Sequence, residues 1–174
     1  MGLKLQTAGG GGVDLQPASS IASDVAVKIP ARAGNLAIDG PAFSAYASAN
    51  QAISQATATK VIFDIESFDT NNNYSSSRFT PTIAGYYQLT AGVSSSTAST
   101  TAPWFLSINK NGNQTQVSGY QYPLVTGVVQ ITGLIYLNGS TDYVEIFAYQ
   151  GGMGQSLFGR SDQTYFQGFL ARAA

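Results

Sequence analysis

The chain has no cysteine and no histidine, and only 10% of its 174 residues are charged. Without cysteine there can be no disulfide, zinc–thiolate site or cysteine nucleophile, and without histidine there can be no histidine-based dyad or triad. Eight basic and nine acidic residues give a net charge of −1, and no basic cluster of the kind that binds nucleic acid is present. We therefore expect no nucleic-acid partner and no cofactor.

Long hydrophobic runs are also missing from the sequence. No window approaches the roughly 20 consecutive apolar residues that a membrane span needs. The N-terminal stretch MGLKLQTAGGGG lacks the apolar region of a signal peptide. We therefore expect a protein made in the cytoplasm and not inserted into a membrane.

The composition changes near Gly40-Pro41, which predicts a connector over 1–40 and a main domain over 41–174. The connector contains a run of glycines at 9–12 and short alternating apolar pieces such as SDVAVKIP. About forty residues of this kind bury little surface alone. The connector is therefore predicted to be β-rich and to need a partner, either the main domain or other chains.

The main domain reads as all-β, because apolar and polar residues alternate between turn signals. An alanine-rich stretch at 44–59 has poor helical spacing, so we interpret it as extended or irregular. The predicted strands are 61–66, 85–93, 104–110, 114–119, 127–138, 142–150 and 164–172.

The order of the turns predicts a molecule with two different ends. Asn-Gly pairs at 111–112 and 138–139 suit tight hairpins. In an antiparallel path these two turns lie at one end, and the C-terminal strand runs back towards it. The longer connections at 94–101, 119–127 and 150–163 then lie at the opposite end, where recognition loops are often carried.

Several predicted strands carry aromatic residues on both faces. In GYYQLTAGV, Tyr87 shares a face with Leu89, Ala91 and Val93, whereas Tyr86 points the other way. Either a second sheet or the connector covers the second aromatic faces, as in a sandwich, or these faces form a subunit interface, where tyrosine is enriched. The pattern alone leaves both explanations open.

The main domain resembles the C1q/tumour-necrosis-factor-like globular domain through PAFSAY, RFTPTIAGYYQL, the hairpin LNGSTDYV and the terminal YFQGFL. The hairpin has two residues between Gly139 and Asp142 where the family pattern has none. The resemblance implies a ten-stranded jelly roll that assembles as a homotrimer, with aromatic faces around the threefold axis. The interface candidates are Tyr86, Tyr136, Tyr143, Phe147, Tyr149, Tyr165 and Phe169.

The connector is similar to segments found in tailed-bacteriophage fibre and tail proteins, through LQPASSIASDVAVKIPARAGNLAIDG. We therefore expect a structural virion protein, a short trimeric tail or head fibre that docks on other virion proteins through residues 1–40. Its knob would contact a host glycan or protein, without catalysis. The alternative is a capsid decoration or head fibre with a purely structural role and no receptor.

The predicted receptor contacts lie on the longer loops. They are Ser94, Ser95, Ser96, Tyr120, Tyr122, Phe158 and Arg160, and the aromatic members suit stacking on sugar rings. The alternative is that these tyrosines pack the loops or the trimer.

Two further hypotheses concern oxygen-rich side chains. A polysaccharide-cleaving enzyme would need two carboxylates across a cleft, for which Asp64, Glu66 and Asp69 are candidates. The stretch DTNNNYSSS at 69–77 has oxygen ligands of the kind that Ca²⁺ uses, but it matches no EF-hand loop. Structural or solvated carboxylates and ordinary turns are the simpler interpretations, so we expect neither catalytic nor metal-binding residues.

Overall fold

The computed structural model describes residues 3–6, 12–15, 40–96, 102–122, 127–152 and 155–174. The chain forms two compact units, Met1–Gly34 and Asn35–Ala174. In the first unit, β1 (Leu3–Gln6) pairs antiparallel with β2 (Gly12–Leu15). The apolar pieces around Val25 and Leu36 lie outside the described residues. No helix suited by length and hydropathy to span a membrane occurs in the described parts of the chain.

The second unit contains a five-stranded sheet, which we call the front sheet. Its order is β12-β9-β15-β3-β6, and all its pairs are antiparallel. The strands are β3 (Ala42–Tyr46), β6 (Ile65–Asp69), β9 (Ala84–Ser94), β12 (Val128–Asn138) and β15 (Tyr165–Ala173).

The opposing sheet, which we call the back sheet, follows the path β11-β10-β13-β8-β7, with β5 also paired to β13. Its strands are β5 (Thr59–Lys60), β7 (Tyr74–Ser75), β8 (Arg78–Phe79), β10 (Trp104–Lys110), β11 (Asn113–Val117) and β13 (Val144–Gln150). A short pair, β4 (Gln51–Ala52) with β14 (Ser156–Leu157), lies outside both sheets. The two five-strand paths supply the ten strands of the predicted jelly roll.

The core fills the space between the two sheets. Tyr87, Leu89, Ala91 and Val93 are fully buried, whereas Tyr86 is 44% exposed, so the predicted faces of β9 are confirmed. The hydroxyl of Tyr87 donates to the Ile83 carbonyl at 2.7 Å, and burial raises the pKa of Tyr87 to about 12. Alternation along β9 thus decides which tyrosine stabilises the protomer and which one reaches its surface.

One predicted strand begins later than its alternation indicated. Residues 61–64 alternate in burial, with Val61 and Phe63 inside, but the ladder of β6 starts at Ile65. The Phe63 amide instead donates to the Ser77 hydroxyl at 2.9 Å, and the Val61 amide donates to the Ile146 carbonyl. An extended segment that crosses between two sheets therefore shows strand periodicity without joining the ladder.

The two Asn-Gly turns do meet at one end, as predicted. Asn111 and Gly112 both have positive φ angles, as the tight hairpin between β10 and β11 requires. Asn138 instead ends β12 and begins a longer loop, in which its side-chain oxygen accepts the amides of residues 140 to 142. The Asn111 side-chain nitrogen Nδ2 donates to Asp142 Oδ1 at 2.7 Å and joins the two turns.

The start of β3 and the C-terminus also lie at this end. The Leu170 amide donates to the Pro41 carbonyl, and the Ala174 amide donates to the Ala84 carbonyl, next to the Asn138 turn. The longer connections meet at the opposite end, where the Ser96 amide donates to Ser156 and Trp104 exchanges two backbone hydrogen bonds with Gln121. Loop residues 97–101, 123–126 and 153–154 lie outside the described residues.

Candidate functional site

The outer face of the front sheet carries six of the ten exposed large apolar side chains among the described residues. Six large apolar side chains on it are between 38% and 56% exposed. A fully solvated sheet face would instead present mainly polar residues. The six are Ile65, Phe68, Tyr86, Leu134, Tyr136 and Phe169.

Cross-strand pairing places these side chains next to one another. Tyr86 lies opposite Tyr136, with ring centroids 5.5 Å apart. Phe169 and Leu134 flank Gln88 on β9 from either side. Phe68 and Phe169 line the same shallow depression. The exposed apolar residues therefore form a patch that extends across the sheet.

A row of polar residues crosses the same face. Gln88 donates to the Thr132 hydroxyl at 2.8 Å, and the hydroxyls of Thr90 and Thr132 are 3.1 Å apart. Gln130 donates to the Tyr165 hydroxyl at 2.7 Å. These hydrogen bonds pair part of the polar groups within the protomer, which lowers the cost of covering this face with a partner.

Four of the predicted interface residues, Tyr86, Tyr136, Tyr165 and Phe169, lie on this outer face. The other three candidates, Tyr143, Phe147 and Tyr149, do not lie on it. These three belong to β13 or the loop before it, on the outer side of the back sheet, and are half-buried there.

Local partners cover two of these three residues within the protomer. Tyr149 stacks on Phe105 with centroids 4.6 Å apart, and the Arg78 guanidinium lies 3.9 Å from the centre of the Tyr143 ring. Alternation correctly separated the two faces of each strand. It gave no information about the sheet to which the strand belongs.

Sequence reasoning missed three members of the apolar patch as interface candidates: Ile65, Phe68 and Leu134. Leu134 shares the outward face of β12 with Tyr136, so its alternation signal was present. Ile65 and Phe68 flank a register shift between β3 and β6. A bulge breaks the two-residue period, which explains why simple alternation along 61–66 did not place them.

The loop end exposes two of the predicted receptor contacts strongly. Tyr120 is 68% exposed and Tyr122 is 55% exposed. The Tyr120 ring meets Phe105 edge-on at 5.2 Å, so one side of it is supported while the remainder faces solvent. Arg160 is also exposed and forms a two-pronged ion pair with Asp162 at 2.9 and 3.0 Å.

Two other predicted contacts are corrected by the structure. Ser94 and Ser95 are fully buried, because β9 continues to Ser94 opposite Val128 and Ser95 bridges to Leu157. Ser96 and Phe158 are half-buried. The described part of the loop end therefore presents Tyr120, Tyr122 and Arg160 as its most accessible candidates.

The carboxylates proposed for catalysis differ in their local roles. Asp64 accepts both the hydroxyl and the amide of Ser48, and these hydrogen bonds hold the pKa of Asp64 below its usual value. Asp69 accepts the amides of Asn71 and Tyr74. Glu66 is exposed and lines one open groove together with Asp64. Two of the three carboxylates therefore hold turns or loops in place.

Side-chain oxygens in the stretch 69–77 accept hydrogen bonds from nearby parts of the chain. Besides Asp69, the Asn73 oxygen accepts the Thr82 amide, and the Asn71 oxygen accepts the Thr70 hydroxyl. Within the described residues no three acidic side chains converge as a metal site would require. The geometry matches the turn interpretation of this stretch.

Two further carboxylates bind cations of the back sheet, Asp142 in the loop before β13 and Glu145 within β13. Lys110 Nζ lies 2.8 Å from Asp142 Oδ2, and this contact, with the Asn111 hydrogen bond, holds the pKa of Asp142 below its usual value. Burial opposes ionisation of Glu145, but hydrogen bonds from Lys60 and Arg78 outweigh it, so the pKa of Glu145 is also lowered.

These lowered pKa values predict acid sensitivity. A carboxylate with a depressed folded-state pKa contributes stability that is fully present above its unfolded pKa of about 4 and is lost as the pH falls through the folded value. We expect the free energy of unfolding to be flat from neutral pH to about pH 5 and to fall below about pH 4. Urea titrations across that range measure it, and Asp142→Asn should flatten the low-pH slope. Stability that rises on acidification would contradict this assignment.

Comparison with solved structures identifies the fold. The globular domain of zebrafish complement 1qA superposes with a TM-score of 0.51 at 19% identity, over 77% of this chain and 99% of that chain. Murine APRIL at pH 8.0 superposes with a TM-score of 0.56 at 10% identity, over 76% of this chain and 99% of that chain. The chain has the C1q/TNF-like jelly-roll fold.

Eiger TNF from S. frugiperda shares the C1q/TNF-like fold too, with a TM-score of 0.56 at 8% identity, over 78% of this chain and 94% of that chain. No family model matches the sequence. No curated protein matches it either. At these identities the likeness establishes the jelly roll, so function has to be argued from this chain's own surfaces.

Proposed function

We propose that this protein is a non-enzymatic trimeric virion component, a short bacteriophage tail or head fibre made in the host cytoplasm. Residues 1–40 dock on other virion proteins, and the jelly-roll knob over 41–174 contacts the host surface. The observation that carries the proposal is the layout of the knob. It has an apolar side face, the start of β3 and the C-terminus at one end, and exposed tyrosines at the other.

The apolar patch of the front sheet supports self-association. A second and third copy of the chain are the partners that fit it, because the patch combines aromatic and aliphatic side chains, and aromatic residues are enriched in interface cores. The number three comes from the resemblance to C1q/TNF-like domains. Packing of front sheets about a threefold axis would leave the back sheets and the loop end facing outwards.

The carboxylates support a non-enzymatic role. Six carboxylate side chains lie within 40–174. All except Glu66 hold a turn, a loop or a cation, through the contacts described above, which include the Arg160–Asp162 ion pair. A hydrolytic pair needs two carboxylates free to act on one substrate. A binding or structural module accounts better for this arrangement.

The virion assignment rests on the similarity of the connector to phage fibre segments. The polarity of the knob is compatible with it, because the chain enters the knob beside the C-terminus and away from the longer loops. A connector docked on the particle would therefore direct Tyr120, Tyr122 and Arg160 outwards. Exposed aromatic rings beside polar side chains suit stacking on sugars.

Deleting residues 1–40 tests the docking role. We expect the 41–174 fragment to fold and to sediment as a trimer, because the apolar patch and the core lie within it. The fragment should not enter phage particles in a complementation assay in which the full-length chain does. Incorporation of the fragment at the full-length level would overturn docking through 1–40.

Electron microscopy of particles carrying labelled full-length protein tests the host-contact role. A position at the tail, together with loss of adsorption for the Tyr120→Ser, Tyr122→Ser double variant, is the expected result. A position on the capsid with normal adsorption would instead establish a purely structural decoration protein.

A further inference from the structure

Two cations converge on a single buried carboxylate on the outer side of the back sheet. Lys60 Nζ lies 2.7 Å from Glu145 Oε1, and Arg78 reaches the same oxygen through Nε and Nη2, both at 3.0 Å. The Glu145 side chain is only 7% exposed. Three residues far apart in sequence thus form one fixed cluster.

The cluster carries a surplus positive charge, since two cations share one anion. The other ion pairs among the described residues are one to one, between Lys110 and Asp142 and between Arg160 and Asp162. The Arg78 side chain is 44% exposed, so the part of its guanidinium not used by Glu145 faces solvent. Asp64 and Glu66 line the adjoining groove beyond Ser75 and Ser76, so the positive surplus belongs to this cluster and not to the wider surface.

An open polar groove with a volume of about 460 Å³ lies against the two cations. Hydroxyl and amide side chains supply most of its remaining wall. Both donors and acceptors are therefore available around the positive charge. The groove is lined by Lys60, Asn72, Asn73, Ser75, Ser76, Arg78 and Thr80.

A strained turn forms one side of the groove. Ser76 and Ser77, the two residues that join β7 to β8, have φ angles of 52° and 58°, a conformation that normally selects asparagine and glycine. Lys60 Nζ donates to the Ser76 carbonyl at 2.9 Å, and the buried Ser77 hydroxyl accepts the Phe63 amide. Strain of this kind persists where surrounding contacts hold it, often at ligand sites.

Rigid support also fixes the position of Arg78. Its guanidinium lies over the Tyr143 ring at 3.9 Å, and Glu145 holds two of its nitrogens. A guanidinium held in this way loses little side-chain freedom when it binds a further anion. The remaining N–H groups match the geometry of a carboxylate or a phosphate.

We infer that this groove binds an oxyanion, a carboxylate or a phosphate, that is carried by a hydroxyl-rich ligand such as an acidic surface sugar. Lys60 and Arg78 bind the oxyanion, and the serine, threonine and asparagine side chains bind neighbouring hydroxyls. The groove lies on the sheet opposite the apolar patch and apart from the loop end. The inference therefore depends neither on trimerisation nor on the tyrosine loops.

NMR titration of the ¹⁵N-labelled full-length protein tests the inference. The probes are D-glucuronate for the carboxylate source and sn-glycerol 3-phosphate for the phosphate source, with D-glucose and glycerol as their neutral counterparts. Shifts produced by at least one anionic probe should centre on the Arg78 Nε–H and the amides of residues 72–80. The neutral probes should not produce them, and added salt should weaken them.

Charge-removing variants measure how much each cation contributes to binding. Lys60→Gln and Arg78→Gln should each lower the affinity for the responding probe about tenfold, because each removes a charge-assisted hydrogen bond. Lys110→Gln is the matched control, and its affinity for the probe should stay within about twofold of that of the parent protein. Lys110 is also held by a largely buried carboxylate, and its side-chain exposure of 26% is close to the 28% of Lys60.

Binding by either anionic probe at this groove supports the inference and identifies the source of the oxyanion. No response to either probe would overturn it. Equal shifts with the neutral probes, or shifts centred on Lys110 or Arg160, would overturn it too. The NMR titration of the unmodified protein tests the inference even if a variant fails to fold.

Discussion

Tyr87→Ser should lower the free energy of unfolding of the protomer by about 3–5 kcal/mol, the range for truncating a large buried aromatic side chain. Tyr87 is fully buried, packs edge-on against Phe79 at 5.4 Å and donates to the Ile83 carbonyl. The substitution leaves a cavity and an unsatisfied carbonyl together. Chemical denaturation followed by circular dichroism measures the loss.

Tyr86→Ser is the matched control one residue away in the same strand. Its side chain is 44% exposed and meets Tyr136 on the outer face, so protomer stability should change by no more than about 0.5 kcal/mol. Assembly should weaken instead, as sedimentation velocity would show. A larger loss of folding for Tyr86→Ser than for Tyr87→Ser would mean that the two faces of β9 have been assigned backwards.

Leu134→Lys combined with Phe169→Lys should disrupt the proposed trimer and leave a monomer. Both side chains are more than half exposed in the protomer, so folding should survive. In the assembly each lysine would be buried in the apolar patch without a partner, and burial of an unpaired charge is costly. We expect the protein concentration at which half of the assembly dissociates to rise by at least about two orders of magnitude.

Val117→Lys controls for the added charge. Val117 is 45% exposed but lies on β11 at the edge of the back sheet, so this variant should assemble like the parent. Sedimentation velocity over a concentration series compares the variants, and circular dichroism confirms that each one is folded. Assembly that survives the double substitution but is lost with Val117→Lys would place the interface on the back sheet.

The sequence was most informative about features that repeat along a single strand. Alternation in β9 and β12 correctly placed Tyr87 inside and Tyr86 and Tyr136 outside. Turn order correctly brought the Asn111 and Asn138 turns to one end with the C-terminus. These features follow from the two-residue period of a strand and from the reversal of direction at each hairpin, and both are local rules.

Predictions that depend on contacts between residues far apart in the chain were less accurate. Alternation groups Tyr149 with Tyr86, because each ring lies on the strand face opposite the aliphatic residues, although their strands belong to different sheets. Ser94 and Ser95 were expected on an open loop, but pairing of β9 with β12 and the bridge to Leu157 bury them. Sheet membership depends on contacts between residues far apart in the chain, which no single-strand pattern encodes.

By itself the sequence determined an all-β jelly roll without cysteine or histidine chemistry, the two faces of each long strand, and the two ends of the molecule. Only the tertiary structure decided which aromatic faces form one continuous surface, and it alone brought Lys60 and Arg78 to Glu145. The physical reason is that alternation fixes the direction of a side chain relative to its own backbone. Its neighbours are set by the pairing of strands, here across 85 residues between Lys60 and Glu145.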